Sequence, residues 1–313
     1  MTIRVLPLPE QVPQLRYVHM FAAGTEHIAN SDLYRTTNVP ITCSSGAHGP
    51  QIAEWFIMTV LMQSHSARSL LDMQDHRCYG RRANYFQVRD LEGQSLGILG
   101  YGSIGRQVSR VAQSFGMKIV VYTATPKATP ASRVHHGYTP TGTGDIEGNI
   151  PHRWYSGEPK DKKKGLHSFL SHGLDILLIS LPSTPETYHL IGAQELEIMA
   201  SSPNHTFISN VARGCIIDHD ALTEVLTRDV NRGEQRDVGE GWLRGAALDV
   251  TDPEPLPVDH VLWGLPNVMI TPHISGAAIG SVERSLDILN INIGRLGKGE
   301  KELLNLVDKK RGY

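Results

Sequence analysis

The amino-acid sequence predicts an α/β protein in which a doubly wound parallel sheet is joined to a smaller α/β lobe. Three observations support this fold class. Short apolar runs alternate with helical patterns along most of the chain, a glycine-rich turn links a strand pattern to a helix pattern, and polar residues directly follow several later runs. Strands that alternate with helices typically form a parallel sheet covered on both faces.

The first predicted elements are two short strands at residues 16–21 and 39–44, followed by a long helix that begins near Pro50. The first half of this helix is apolar on nearly every side, so we expect it to be buried between layers. A buried strand then runs into Gly100, and the next helix has an apolar face that leads to a second strand ending at Thr123. Further strands are predicted at residues 175–182, 205–211, 245–250 and 269–272.

Two segments break this alternation. Residues 124–165 are polar and show little periodicity, and loops longer than about 15 residues are usually functional or mobile, so we predict a mobile insertion. The adjacent His135 and His136 could suggest a metal site, but no Cys or carboxylate lies nearby at a ligand spacing, which favours a solvated loop. Residues 231–245 are predicted to form an extended surface loop.

Composition and charge exclude several classes of protein. The chain has 313 residues with 30 basic and 32 acidic side chains, so its net charge of −2 gives no reason to expect nucleic acid or an anionic membrane as a partner. The most apolar stretch, residues 55–62, is far shorter than the roughly 20 residues that cross a bilayer. Three scattered cysteines indicate a reducing compartment. We therefore expect a cytoplasmic protein.

The glycine-rich turn GYGSIG matches the dinucleotide fingerprint of a Rossmann domain. Gly100 allows the tight turn, Gly102 lets the backbone approach a pyrophosphate, and Gly105 lets helix and strand pack closely. The phosphate would face the first amide groups of the following helix, at Ser103 and Ile104. The strand before the turn and the helix after it make this motif more specific than the glycines alone.

The tip of the second strand indicates which dinucleotide is bound. An acidic residue at this point would accept hydrogen bonds from the adenosine ribose and repel a 2′-phosphate. The tip is Thr123, and no Asp or Glu occurs between residues 93 and 144, while Thr125, Lys127 and Arg133 offer hydroxyl and cationic donors. We therefore expect NADP(H) to be favoured. NAD(H) remains possible, either in a site that accepts both cofactors or with an acid that reaches in from elsewhere.

Three charged side chains follow later strand patterns. Arg213 in SNVARG, Glu254 in ALDVTDPEPLP and His273 in ITPHISG each come after a strand, where open α/β sheets bind their ligands. Each residue alone is typical of a surface or turn position. Their joint occurrence behind a nucleotide turn instead indicates a catalytic site.

The order of GYGSIG, SNVARG, ALDVTDPEPLP and TPHISG resembles that of the D-isomer-specific 2-hydroxyacid dehydrogenases. The resemblance extends to FAAGTEHI, SSGAHGPQIAEW, LPSTPETYHLIG and LLNLVDKKRGY. It implies hydride transfer between a nicotinamide cofactor and a small 2-keto acid or D-2-hydroxy acid, with glyoxylate or hydroxypyruvate reduction the most economical expectation. It also implies a homodimer formed through the nucleotide domain. The helix near Pro50 suits such an interface and a buried position between lobes equally well.

The resemblance assigns roles that suit the chemistry of these residues. His273 is the candidate proton donor to the carbonyl oxygen, and Glu254 at its other ring nitrogen would favour the charged imidazolium. The planar fork of Arg213 matches the carboxylate of the substrate. The resemblance further assigns the substrate carboxylate to the backbone amides of Ala22, Ala23 and Gly24, the nicotinamide carboxamide to Asp249, and other cofactor contacts to Pro182, Val211 and Gly276. No metal is expected.

The sequence departs from this family at its beginning. Relatives carry a longer, flavodoxin-like first lobe, whereas only about 50 residues precede the helix near Pro50, so the opening strands of the lobe are expected to be missing. We predict a substrate lobe from residues 1–50 and 281–313 and a dinucleotide-binding domain from residues 51–280. The departure leaves an alternative open, a dinucleotide-sensing interaction protein that resembles the C-terminal binding protein corepressors and has little turnover.

Overall fold

The computed structural model of this protein describes residues 6–80, 88–157, 161–230 and 241–309. Within these residues seven strands form one parallel sheet and two form a second one. The strands are β1 (Val18–Met20), β2 (Ile41–Cys43), β3 (Ser95–Leu99), β4 (Lys118–Thr123), β5 (Arg153–Ser156), β6 (Ile176–Ile179), β7 (Phe207–Asn210), β8 (Gly245–Leu248) and β9 (Val268–Ile270). The helices are α1 (Asp32–Thr36), α2 (Gly49–Ser64), α3 (Ala67–Asp75), α4 (Ser103–Ser114), α5 (Pro130–Arg133), α6 (Lys162–Leu170), α7 (Ala193–Ala200), α8 (His219–Val230) and α9 (Ile279–Gly297).

The large sheet has the strand order β5-β4-β3-β6-β7-β8-β9, and all its neighbouring strands are parallel. The chain runs outward from β3 through β4 to β5, and then returns to the other side of β3 with β6. Ligands of such sheets bind beyond the carboxyl ends of the strands, at the point where the order reverses. The predicted doubly wound α/β fold is therefore confirmed.

Apolar side chains fill both faces of this sheet. On one face α2 packs against α4, and Phe56, Val108 and Ile98 are fully buried between them and the strands. On the other face the core includes Leu166 of α6 and Leu226 of α8, both fully buried. The predicted burial of the first half of α2 is confirmed, because most of its residues from Gly49 to Val60 are buried where the helix packs against α4 and the sheet.

The small sheet is built from both ends of the described chain. β1 pairs with β2 in parallel, and residues near Leu306 run antiparallel along β2, where the amide of Cys43 donates to the carbonyl oxygen of Asn305 and that of Val307 to Ile41. The buried amide of Asn292 in α9 bonds both the amide and the carbonyl oxygen of Leu304. This arrangement is compatible with the predicted two-part lobe, whose boundaries stay a prediction.

The predicted mobile insertion at residues 124–165 is wrong for its later part. Residues 153–156 form β5, which pairs with β4, and α6 begins inside the same segment. The strand has only four residues and its side chains are half-buried, so it presents no alternation that could be recognised in the sequence. β5 is the outermost strand of the sheet, and its formation depends more on backbone pairing with β4 than on a hydrophobic pattern.

The earlier part of this segment is packed against the glycine turn instead of forming a solvated loop. The buried guanidinium of Arg106 in α4 donates to the carbonyl oxygens of Asp145 and Arg133. The carboxylate of Asp145 accepts a 2.7 Å hydrogen bond from the hydroxyl of Tyr101. Burial lowers the pKa of His135 to about 4, which is consistent with a packed side chain.

Most of the surface loop predicted at residues 231–245 lies outside the described residues. In the described part of the chain, no group of three or more His, Cys, Asp and Glu side chains is placed to hold a metal ion. None of the described helices is long and apolar enough to cross a membrane.

Candidate active site

The three charged residues singled out in the sequence follow three neighbouring strands of the large sheet. Arg213 follows β7, Glu254 follows β8 and His273 follows β9. Because these strands are adjacent and parallel, their carboxyl ends lie along one edge. The turn after Arg213 touches the loop before Glu254, since a Cβ atom added at Gly214 would stand 2.0 Å from the backbone carbonyl of Thr251.

His273 and Glu254 form a direct hydrogen bond. Nδ1 of His273 donates to Oε1 of Glu254 over 2.8 Å, and both side chains are a little under half exposed. A carboxylate can only accept, so this contact determines that Nδ1 carries a proton. The other nitrogen, Nε2, is therefore the atom that can hold or release a proton toward a bound molecule.

The backbone around His273 is held in an unusual conformation. Its φ angle is +55°, in the left-handed region that non-glycine residues seldom adopt. The amide of His273 donates to the carbonyl oxygens of Asp249 at 2.8 Å and Thr271 at 3.0 Å. The left-handed conformation costs on the order of 1–2 kcal/mol, and these contacts hold the backbone of His273 in place despite that cost.

Asp249 organises the loop that carries His273. Its carboxylate is 1% exposed and accepts hydrogen bonds from Thr271 Oγ1 at 2.6 Å, the amide of Ile274 at 2.8 Å, and both the amide and the hydroxyl of Ser275. The sequence analysis did not predict that Asp249 organises this loop. The signal in the sequence was an Asp at the end of an apolar strand. The expected contact of Asp249 with a nicotinamide carboxamide stays a prediction.

A buried asparagine shapes the turn that presents Arg213. Asn210 is fully buried at the end of β7, where its side chain accepts from the amide of Ala212 and donates to the carbonyl oxygen of Arg213, both at 3.0 Å. The guanidinium of Arg213 donates to Ala212 and faces Glu26, which follows β1. Neither Asn210 nor Glu26 was predicted as part of the site.

The loop of Ala22, Ala23 and Gly24 lies between β1 and Glu26, on the side of the small sheet that faces Arg213. The carbonyl oxygen of Ala22 accepts from the amide of Ser44, which ties the loop to the end of β2. A Cβ atom at Gly24 would stand 2.2 Å from Nη2 of Arg213. The structure thus brings the two predicted substrate-binding groups together, while their binding of a carboxylate stays a prediction.

The glycine turn has the geometry that a pyrophosphate needs. Gly100 has φ +101°, and a Cβ atom there would meet the carbonyl oxygen of Ser180 at 2.8 Å. A Cβ atom at Gly105 would meet the carbonyl oxygen of Gly100 at 2.5 Å, whereas one at Gly102 would project into open space. The amide groups of Ser103 and the next residue begin α4 and have no partner within the helix, so they fit an anion.

The end of β4 lies beside this turn. The hydroxyl of Thr123 donates to the carbonyl oxygen of Thr125 at 2.8 Å and is buried, so it can only accept from a ribose. Nε of Arg133 donates to the carbonyl oxygen of Lys127, and its guanidinium stacks over Trp154. Arg133 therefore anchors the packed segment. The side chain of Lys127 makes no hydrogen bond or ion pair with any described residue.

The remaining predicted cofactor residues stand at the same edge of the sheet. Pro182 follows β6, Val211 follows β7 and is buried, and Gly276 lies in the loop after β9. Their positions at carboxyl ends of strands are those at which an open α/β sheet binds its ligand. Their contacts with a cofactor stay predictions.

A polar cluster that the sequence analysis missed connects α2, α9 and the loop after β9. Arg284 in α9 donates to the carbonyl oxygen of Ala47 at 2.6 Å and to Oε1 of Gln51 in α2 at 2.7 Å. Nε2 of Gln51 donates to the carbonyl oxygen of Gly276 at 2.9 Å. Burial lowers the pKa of the neighbouring His48, which disfavours its charged form. These partners are more than 200 positions apart, so no local pattern could have revealed them.

Comparison with known proteins relates this geometry to one family. Residues 56–143 and 156–275 match the family model described as D-isomer specific 2-hydroxyacid dehydrogenase, NAD binding domain. A glyoxylate reductase from Thermococcus gammatolerans is 28% identical over 93% of this chain and 76% of its own length. A glyoxylate reductase from Aeropyrum pernix is 30% identical over 86% of this chain and 70% of its own.

Solved structures give the same relation. A D-isomer specific 2-hydroxyacid dehydrogenase from Xanthobacter autotrophicus Py2, in complex with NADPH and MES, superimposes with a TM-score of 0.72. It is 27% identical, and the match covers 97% of this chain and 81% of that one. A glyoxylate reductase from Paecilomyes thermophila, 24% identical, has a TM-score of 0.69 over 95% of this chain and 76% of its own, which shows a shared fold.

Proposed function

The chain belongs to the D-isomer specific 2-hydroxyacid dehydrogenase family and is an NAD(P)-dependent oxidoreductase, and from this premise we propose that it reduces glyoxylate or hydroxypyruvate. The observation that carries the proposal is the bond between His273 and Glu254 beside Arg213, at the edge of the sheet that also holds the glycine turn. The relatives named as glyoxylate reductases support this choice of substrate. They do not favour the corepressor-like alternative.

His273 supplies the proton in this reaction. A reduced nicotinamide, when bound, supplies the hydride that adds to the carbonyl carbon of the keto acid. The carbonyl oxygen then gains negative charge, and the proton on Nε2 of His273 moves to it, so that a hydroxyl group forms. Glu254 stays bonded to Nδ1 and stabilises the imidazolium that must be present before the transfer. Proton donors of this kind accelerate reactions by roughly a hundred- to ten-thousandfold.

Arg213 and the loop of Ala22, Ala23 and Gly24 orient the substrate. The guanidinium offers paired N–H groups that match the two oxygens of a carboxylate, and the loop amides approach from the opposite side. The short distance between Gly24 and Arg213 supports this arrangement. Because the two groups lie on different lobes, the substrate carboxylate bridges them, which favours a closed cleft from which water is excluded.

The preferred cofactor in this proposal is NADPH. Thr123 places no negative charge at the ribose, and Lys127, whose side chain makes no hydrogen bond or ion pair with the described part of the chain, follows four residues later. The relative from Xanthobacter autotrophicus Py2 was solved with NADPH, which supports the same preference. NADH is the weaker candidate, since the acid that would bind its ribose is missing from the tip of β4.

We also propose that the protein is a cytoplasmic homodimer with the two-part substrate lobe predicted from the sequence. α2 is largely covered within its own chain, so it offers little free surface. The apolar side chains of Leu70, Leu71 and Tyr79 in and after α3 are 45%, 54% and 99% exposed and provide a better dimer surface. Light scattering coupled to gel filtration measures the mass in solution, and a monomer at micromolar concentration contradicts this assignment.

The function is tested by steady-state assays of glyoxylate, hydroxypyruvate and pyruvate with NADPH and with NADH. We expect the highest kcat/KM for one of the first two acids with NADPH. Cofactor binding without turnover of any 2-keto acid would refute the proposal and support the sensing alternative.

A further inference from the structure

The carboxylate of Glu26 lies directly on the guanidinium of Arg213. Oε1 of Glu26 is 3.2 Å from Nε of Arg213, and Oε2 accepts a 3.2 Å hydrogen bond from Nη2. The two groups therefore meet side by side, in the paired geometry that an arginine forms with a carboxylate. Nη1 of Arg213 donates at 2.7 Å to the carbonyl oxygen of Ala212. The internal carboxylate thus occupies the side of the guanidinium that faces the small sheet.

This carboxylate also lies against the substrate loop. A Cβ atom at Gly24 would stand 2.3 Å from Oε2 of Glu26 and 2.2 Å from Nη2 of Arg213, so both groups crowd the same face of Gly24. The proposed binding site of the substrate carboxylate is the space between this loop and Arg213. The carboxylate of Glu26 occupies that site.

The turn that contains Glu26 is held by buried residues, whereas the side chain of Glu26 is partly exposed to solvent. Thr25 and Ile28 are each 1% exposed, so the short turn that begins at Glu26 is held on both sides. The side chain of Glu26 is 44% exposed and that of Arg213 is 34% exposed. An ion pair with this exposure is screened by water and contributes little stability, so it can open without moving the backbone.

The pair changes the charge that an arriving substrate meets. Arg213 alone would present a positive charge to the anionic keto acid, but Glu26 cancels that charge. The pair of Glu26 and Arg213 therefore has no net charge. A keto acid must therefore exchange places with Glu26. The free energy needed to open the ion pair between Glu26 and Arg213 then reduces the favourable free energy of substrate binding.

We propose that Glu26 competes with the substrate carboxylate for Arg213 and thereby lowers the affinity of the protein for its substrate. This inference rests on the proposed 2-keto acid reductase function and refines it. The competition weakens binding of every carboxylate at this site without touching the carbonyl group that reacts. Its signature is a raised KM with an unchanged kcat, because the exchange precedes hydride and proton transfer.

The test compares wild-type protein with Glu26→Gln, which keeps the shape of the side chain and removes its charge. Glu197→Gln is the matched control, since Glu197 forms an exposed ion pair with Arg228 on the surface of α7 and α8. KM and kcat for glyoxylate are measured with saturating NADPH, and oxalate serves as an unreactive competitor. We expect Glu26→Gln to lower KM and the inhibition constant of oxalate about fivefold, with kcat within about twofold.

The outcomes separate the possible roles of Glu26. An unchanged KM in Glu26→Gln would overturn the inference, and so would a raised KM, which identifies Glu26 as a residue that orients Arg213. A decrease of equal size in Glu197→Gln would also overturn it. If no variant turns over any keto acid, the proposed function fails by itself. Calorimetric titration of oxalate into the NADPH-loaded proteins then still tests the competition, with tighter binding to Glu26→Gln as the supporting result.

Discussion

The two ion pairs of the site have similar exposure but different structural support. His273 and Glu254 are 47% and 44% exposed, and Arg213 and Glu26 are 34% and 44% exposed. The first pair joins loops after neighbouring strands of one sheet, and buried Asp249 holds the His273 loop through several hydrogen bonds. The second pair joins the segment after β1 of the small sheet to the turn after β7 of the large sheet. The two pairs thus differ in whether their partners follow strands of one sheet or of two, which supports our proposal that the first is a fixed catalytic pair and the second an exchangeable one.

The largest effect is expected when the fixed pair loses its proton donor. His273→Ala should lower kcat for glyoxylate on the order of a hundred- to ten-thousandfold, because the imidazole that would deliver the proton is lost. Binding of NADPH, followed by fluorescence titration, should be unchanged. The exposed His65 at the end of α2 provides a control as His65→Ala, which should keep full activity. Substantial remaining turnover in His273→Ala would contradict the role of proton donor.

Removing the anchor of the fixed pair should be the next most damaging change. Asp249→Ala leaves the donors of Thr271, Ile274 and Ser275 without their buried acceptor, so we expect a loss of about 3 kcal/mol in the free energy of unfolding. Urea denaturation measures this loss. Because the imidazole also loses its orientation, kcat should fall even under conditions in which the variant is fully folded. A stable variant with normal kcat would show that the loop does not need this carboxylate.

The contact between the two loops can be changed at one glycine. Gly214→Ala introduces a Cβ atom that meets the backbone of Thr251 and must push the Arg213 turn away from the loop of Glu254. We expect a destabilisation of about 2 kcal/mol and a raised KM. Gly264→Ala is the control, because nothing lies within 4 Å of its added atom. Equal melting temperatures for the two variants would mean that the loops of Arg213 and Glu254 can move apart without loss of stability.

The smallest effect is expected at Lys127, a partly exposed charge that makes no hydrogen bond or ion pair with any described residue. Lys127→Ala should raise KM for NADPH about fivefold and leave KM for NADH unchanged, because only the 2′-phosphate is lost as a partner. Lys118→Ala, at the opposite end of β4, should change neither value. If Lys127→Ala changed KM for NADPH and for NADH equally, Lys127 would not contribute to the preference between the two cofactors.

Local features of the chain were readable from the sequence because their causes are local. The glycines of GYGSIG, the apolar strands and the polar residues that follow them depend on backbone conformation and on periodicity within a few positions. The parallel sheet and the carboxyl-end location of Arg213, Glu254 and His273 follow from these patterns. β5 was missed because a four-residue edge strand is determined by its pairing with β4. The packing of Asp145 against Tyr101 was missed for the same kind of reason.

The sequence by itself determined the fold class, the nucleotide turn and the identity of the groups able to carry out the chemistry. Only the tertiary structure decided which of those groups meet. It bonded Nδ1 of His273 to Glu254, gave Asp249 a role in the loop, and turned Arg133 toward Trp154. It also seated Glu26 on Arg213, 187 positions away. Contacts of this kind depend on how separate elements pack against each other. The charge of the side chains and their spacing along the chain do not predict that packing.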